Sequence, residues 1–254
     1  MANRQDAALS AESPTRRKSD GGVAAVRILA VESSGRDASI AALEGVDHEA
    51  RVVGERTLAG DRRTAQVLVP AVGELLGSLD WAPSDVQLAA VVAGPGSFTG
   101  LRIGVTFAKT FAYATGAEVI GVDALAVLAQ QTPTGGSPFW AVLDAQRQDL
   151  FAARFECVDR AWAMRVATHI VPQDAWLARL RPGDRVSGPA LRKLCHRLPA
   201  GVVAVHESFW QPRASAVGQL AWREYRSGQR DDLWALVPRY YRASAAEEKR
   251  MQRG

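Results

Sequence analysis

The apolar positions of this chain fall into short runs separated by polar, glycine-rich turns, and their period changes from element to element. Leu88 to Ala93 is a continuous apolar run, the length of a parallel strand buried on both faces. A turn, Gly94-Pro95-Gly96-Ser97-Phe98-Thr99-Gly100, follows it. A helix is then expected to about Thr115, with Thr99 as N-cap and Gly116 as the glycine just past its end. Glu118 to Val122 reads as the next strand, which completes a β-α-β crossover. Upstream, Val26–Glu32, Asp37–Leu43 and Ala50–Leu58 read as three strands. Val67, Leu68, Ala71, Val72, Leu75 and Leu76 give Thr64–Leu79 a helical period, with Pro70 expected to kink it or to begin a second segment. Downstream, Phe139–Asp144 and Leu150–Glu156 form a second hairpin that echoes the first. Trp162–Val171 and Arg185–Ser187 read as strands. Pro172–Leu180, Ala190–Leu198 and Ala214–Arg226 read as helices, the last returning to the first half through Val217, Leu220, Ala221 and Tyr225.

The helix after the glycine turn carries two stripes. Arg102, Thr106, Lys109 and Tyr113 make a polar one. Gly100, Gly104, Ala108 and Ala112 make a stripe of small residues at i+4 steps. Two glycines inside a helix each cost about 1 kcal/mol against alanine, so a close contact must compensate. Either the chain's own sheet or a partner helix would provide it. The turn is not a recognised phosphate motif: its spacing is Gly-x-Gly-x-x-x-Gly, and no Lys-Ser/Thr pair follows.

The 254 residues, 47% hydrophobic, suffice for one large domain or two small ones, and the net charge is a mild +4. Cys157 and Cys195 form no framework, which points to a reducing, cytoplasmic setting with both thiols buried or idle. No apolar run approaches the ~18 residues of a membrane span, so no membrane partner is expected. The polar start, to about Gly22, reads as a disordered tail without a secretory h-region. The turn signals from Thr132 to Pro138 mark a boundary. The expected organisation is a tail over 1–24, a first unit over 25–132 completed by 213–230, a smaller second unit over 138–212, and a basic C-terminal tail over 231–254. His48, His169, His196 and His206 are scattered without metal-ligand spacing.

The segment GPGSFTGLRIGVTFAKTFAYATGAEVIGVDAL resembles the hallmark segment of the TsaB family. The closing Pro238-Arg239-Tyr240-Tyr241-Arg242 resembles that family's ending. The resemblance implies an α/β fold of the actin-like, Hsp70-like (ribonuclease H-like) class, built of two β-β-β-α-β-α units. It also implies a non-catalytic scaffold in the biosynthesis of N6-threonylcarbamoyladenosine beside the tRNA anticodon. Such a subunit pairs with a TsaD-like transferase through its first-unit helices, is joined by a TsaE-like ATPase, meets tRNA through the complex, or pairs with itself by the same face. The interface residues so implied are Leu68, Val72, Leu75, Gly100, Arg102, Gly104, Ala108 and Ala112.

In TsaD the corresponding strand runs into histidines that ligate a metal. The matching positions here are Ala124 and Leu128, which have no lone pair to offer. No metal site and no catalytic residue is therefore expected. The family's acidic turn reads Glu32-Ser33-Ser34 here, which makes Ser33 and Ser34 a candidate nucleotide turn, or an ordinary hairpin turn. No cofactor of its own is implied, while ATP or ADP could sit at the complex. Asp144 reads as a turn cap or as a second carboxylate in a phosphate cleft. The lone Gly188 before Pro189 weakens an adenine site. The basic ending is read as solvated, with tRNA phosphates as a minor alternative. A free-standing ATP-dependent enzyme of this fold, or a TsaD-like metallopeptidase, is the competing reading.

Overall fold

The computed structural model describes residues 24–58, 64–135 and 137–242. The first half contains β1 (Val26–Glu32), β2 (Ser39–Val46), β3 (Glu49–Thr57), α1 (Thr64–Gly77), β4 (Leu88–Gly94), α2 (Phe98–Thr115), β5 (Glu118–Asp123) and α3 (Ala124–Gln131). Next come β6 (Phe139–Asp144), β7 (Asp149–Val158), β8 (Ala161–Pro172), α4 (Gln173–Leu177), β9 (Arg185–Ser187), α5 (Leu191–Leu194) and β10 (Val203–Ala204), and then α6 (Ala214–Arg226).

The strands form two five-stranded sheets, in the orders β3-β2-β1-β4-β5 and β10-β9-β6-β7-β8. In the first, β1, β2 and β3 pair antiparallel, and β4 and β5 are added in parallel beside β1. The second repeats this around β6: β7 and β8 antiparallel on one side, β9 and β10 parallel on the other. Each unit thus runs β-β-β-α-β-α and adds a fifth strand, which is the actin-like duplication expected from the sequence.

Alternation along each strand divides the core into layers. Ile28 and Ala30 of β1, with Leu88, Ala90 and Val92 of β4, face the space between the units, where they meet α3, α6 and Phe139, Phe151 and Phe155 of the second sheet. Leu29, Val31, Ala89 and Val91 face the opposite way, under α1 and α2. Trp140, Val142 and Leu150 face α4 and α5 on the far side of the second sheet. The apolar run of β4 is buried at every position because it is covered on both faces.

Several local expectations need correction. The N-cap of α2 is Ser97, whose hydroxyl accepts from the Gly100 amide, and not Thr99. The far end agrees: Gly116 adopts φ 77°, the left-handed conformation that suits glycine. Pro70 lies inside one continuous α1. The expected helix over Ala190–Leu198 is one short turn, α5, followed by a 3₁₀ turn at Cys195–Arg197. Of the two readings of Cys157 and Cys195, buried or idle, the first is ruled out, because both are exposed. α6 packs on β1, β2 and β3, so it does return to the first unit.

The described part of the C-terminal segment, residues 231–242, is not a solvated tail. Asp231 accepts from the Gly121 amide at 2.7 Å, Leu236 is buried beside Gly121, and Lys109 donates to the Trp234 and Leu236 carbonyls. The supposed N-terminal tail and residues 243–254 lie outside the described residues.

Candidate functional site

The main cleft, about 830 Å³, opens where matching turns of the two units face each other. One wall is the β1–β2 turn (Ser34, Gly35, Arg36) with the turn that starts α2. The other is the β6–β7 turn (Asp144 to Arg147) with Arg192 and Lys193 of α5. Residues 239–242 close one side. Among the described residues, the lining cations are Arg36, Arg147, Arg192, Lys193, Arg239 and Arg242, against one carboxylate, Asp144. Such a cleft attracts anions. Much of that charge is already engaged. Lys193 donates to Asp144 at 2.9 Å, Arg239 to the Gly121 carbonyl at 2.9 Å, and Arg242 to the Ala145 carbonyl at 3.0 Å and to Asp149.

Glu32 ends β1 beneath this cleft and is fully buried. One carboxyl oxygen accepts from the Ser34 amide at 2.7 Å and from the Ser34 hydroxyl, while the other has no hydrogen-bond partner. Burial pushes its pKa up to about 7, because the charged form loses water that the hydrogen bonds from the Ser34–Gly35 turn do not replace. Of the candidate nucleotide-turn residues, only Ser34 lines the cleft. Ser33 turns into the protein and donates to the Gly100 carbonyl at 2.8 Å. The Ser34 carbonyl accepts from the Ser97 amide at 2.7 Å, so this turn and the start of α2 are stitched together. Gly96 is required by that closeness: a Cβ there would lie 2.6 Å from the Cβ of Ser34, and its φ is 159°. Asp144 caps its turn, with one oxygen accepting from the Gln146 amide (2.8 Å), and its other oxygen accepts from Lys193 at the cleft wall.

The expected partner face needs correction. Gly100 and Gly104 pack against Ser33, and Ala108 and Ala112 are 1% and 2% exposed in the core under α2. The small-residue stripe is therefore filled by this chain's own β1–β2 turn and by the core under α2. Leu68, Val72 and Leu75 of α1 belong to the same core. Of the eight residues, only Arg102 is exposed. Its guanidinium lies over the Phe98 ring and donates to the Tyr240 hydroxyl at 3.0 Å. The large apolar side chains that these helices do present to solvent are Val69 of α1, 63% exposed, and Tyr113 of α2, 69% exposed.

Ala124 and Leu128 are buried on α3 and do not fit a metal. Asp123, just before them, caps that helix at the Leu125 and Ala126 amides (2.8 and 3.1 Å) and accepts from Thr168 at 3.0 Å. Burial raises its pKa despite these bonds. Among the described residues, no group of three or more His, Cys, Asp or Glu side chains could hold a metal ion, and no helix is long and apolar enough to cross a membrane. The residues that sequence reasoning missed are Arg239 to Arg242. Their signal was the closing Pro-x-Tyr-x-Arg pattern, read as a tail because it has no apolar period.

The family described as TsaD, tRNA N6-adenosine threonylcarbamoyltransferase, matches residues 51–220. The tRNA threonylcarbamoyladenosine biosynthesis protein TsaB of Bacillus subtilis is 29% identical, across 87% of this chain and 96% of its own length. The Escherichia coli TsaB protein is also 29% identical, across 52% of this chain and 55% of its own. A solved Pseudomonas aeruginosa protein described as similar to peptidase YeaZ superposes with a TM-score of 0.72 at 26% identity, over 85% of this chain and all of that one. Another structure, YeaZ from the same organism, gives 0.71 at 25% identity, over 85% of this chain and 99% of that one. With the family match spanning more than half of the chain, and the Bacillus subtilis TsaB protein and the two Pseudomonas aeruginosa structures alike nearly end to end, this chain belongs to the TsaB (YeaZ) branch of the TsaD family.

Proposed function

We propose that this chain is a subunit of the machinery that makes N6-threonylcarbamoyladenosine in tRNA. It acts there as a scaffold that binds and activates a TsaD-like transferase, with no chemistry of its own. A TsaE-like ATPase joins the pair, and tRNA is met through the complex. The observation that carries the scaffold reading is the pair Ala124 and Leu128, fully buried alkyl side chains where the resemblance to TsaD would place ligating histidines. The name of the Bacillus subtilis relative supports the pathway.

A scaffold of this kind works by differential affinity. It binds the competent form of its partner more tightly and shifts the population towards it. The outward faces of α1 and α2, around Val69, Thr106 and Tyr113, are the surface assigned to that contact.

The cation-rich cleft beside Ser34 favours a second reading, an enzyme that uses ATP or ADP by itself. Co-expression with the same organism's TsaD-like protein, followed by size-exclusion chromatography and a tRNA-modification assay, separates the two. Co-elution, with activity only in the pair, is the expected result. A chain that ignores the partner and turns over ATP alone would overturn the scaffold reading.

A further inference from the structure

We propose that Arg239–Arg242 form a releasable latch between the two units, so that the cleft and the outward face of α2 open and close together. Neighbouring residues of this segment hold opposite units. On the first unit, the Arg239 amide donates to the Ala93 carbonyl at 2.7 Å. Tyr240 stacks on Phe98, ring centroids 4.3 Å apart, and its hydroxyl accepts from Arg102. On the second unit, Tyr241 sets its ring edge-on to Phe151 at 5.8 Å, and Arg242 binds the Ala145 carbonyl and Asp149. The Tyr241 hydroxyl also reaches back towards Asp123 of the first unit, at 3.5 Å.

The span between the two sets of anchors is one or two residues. An extended chain covers only about 3.5 Å per residue, so the cleft cannot widen far unless one end lets go. The seat is built for this segment. Gly94 has φ 139°, and a Cβ on it would lie 2.6 Å from the Arg239 carbonyl oxygen. The first glycine of the hallmark turn therefore makes room for the latch.

The anchors are of a kind that can release. Tyr240 and Tyr241 are 42% and 38% exposed, and the Arg242–Asp149 pair is reached by solvent. Leu236, buried three residues earlier, is the fixed end from which the segment would swing. Release at the Tyr240 end uncovers Phe98 and Arg102, which lie on α2.

Hydrogen–deuterium exchange on the full chain tests the coupling with two variants. Tyr241→Ala/Arg242→Ala frees the second-unit end, and is expected to speed exchange at the Ser97 and Leu101 amides on the first unit by tenfold or more. Tyr240→Ala loosens the first-unit end by removing the ring stack on Phe98 and the acceptor of Arg102, and is expected to do the same at the Asp149 amide on the second. Strands β1 and β7 should keep their protection in both. Faster exchange confined to the substituted end would overturn the proposal, because the two ends would then be independent anchors. Loss of protection throughout the chain would also overturn it, since the segment would then be part of the core.

Discussion

The Ser33 hydroxyl donates to the Gly100 carbonyl at 2.8 Å, and a Cβ placed on Gly100 would overlap the Ser33 carbonyl oxygen. Backbone thus lies on backbone between the β1–β2 turn and the first turn of α2, and neither side can give. Gly100→Ala is expected to destabilise the fold by about 3 kcal/mol or more, through overpacking with no flexible neighbour to move. Gly73, in the exposed interior of α1, meets nothing within 4 Å. There the same substitution should stabilise by roughly 0.5–1 kcal/mol, the helix-propensity gain alone. Urea unfolding of both variants checks the opposite signs.

Glu32 makes the fold sensitive to pH in a definite direction. Its pKa is about 7 in the folded chain against an ordinary 4.5. Between those values the folded state keeps a proton that the unfolded chain has released. Stability therefore falls as pH rises from about 4.5 to about 7, and the penalty is complete above that. A gap of roughly 2.5 pH units is worth on the order of 3 kcal/mol. Glu32→Gln should flatten the difference between unfolding at pH 5 and pH 8 by about that much. Asp123 and Glu224, also raised by burial, leave a residual slope of the same sign.

Partner binding and folding should separate cleanly on α1. Val69→Glu changes an exposed side chain, and is expected to leave the melting temperature nearly unchanged while weakening capture of a TsaD-like protein tenfold or more. Leu75→Ala empties a core position and should cost about 2–5 kcal/mol of stability. Pull-down and thermal unfolding of the two proteins, side by side, give the comparison. If Val69→Glu binds as well as the parent chain, the contact lies elsewhere.

Metal content separates the scaffold from a metallopeptidase. Elemental analysis of the purified chain should find far less than one iron or zinc per molecule, because Ala124 and Leu128 supply no donor atom. Stoichiometric metal that survives dialysis would revive the enzyme reading.

Most of the strands and the C-terminal end of α2 are legible because they depend on local facts: apolar runs of strand length, and a glycine in the left-handed conformation at 116. The two-residue strand Val203–Ala204 is too short to show a pattern. The N-cap was misplaced by two residues because Ser97 and Thr99 offer the same hydroxyl, and only the path of the chain chooses between them. The small-residue stripe was legible as a close contact, but its partner was not. The answer lies in Ser33, 67 positions before Gly100, and no helical period reports a contact so distant. The latch was hidden for a similar reason. It uses ring contacts, a backbone amide and one ion pair, spread over α2, β4 and β7, and so leaves no repeating pattern.

The return of α6 to the first sheet has a consequence for how the protein is made. A ribosome delivers β1 to α3 first, but the layer that covers β1, β2 and β3 on one side arrives with residues 214–226. By then all five strands of the second sheet have been synthesised. Domains generally fold as the chain emerges, from the N-terminus onward. Here the half that is translated first is the half that is finished last, and its exposed apolar face must be kept from wrong partners throughout elongation.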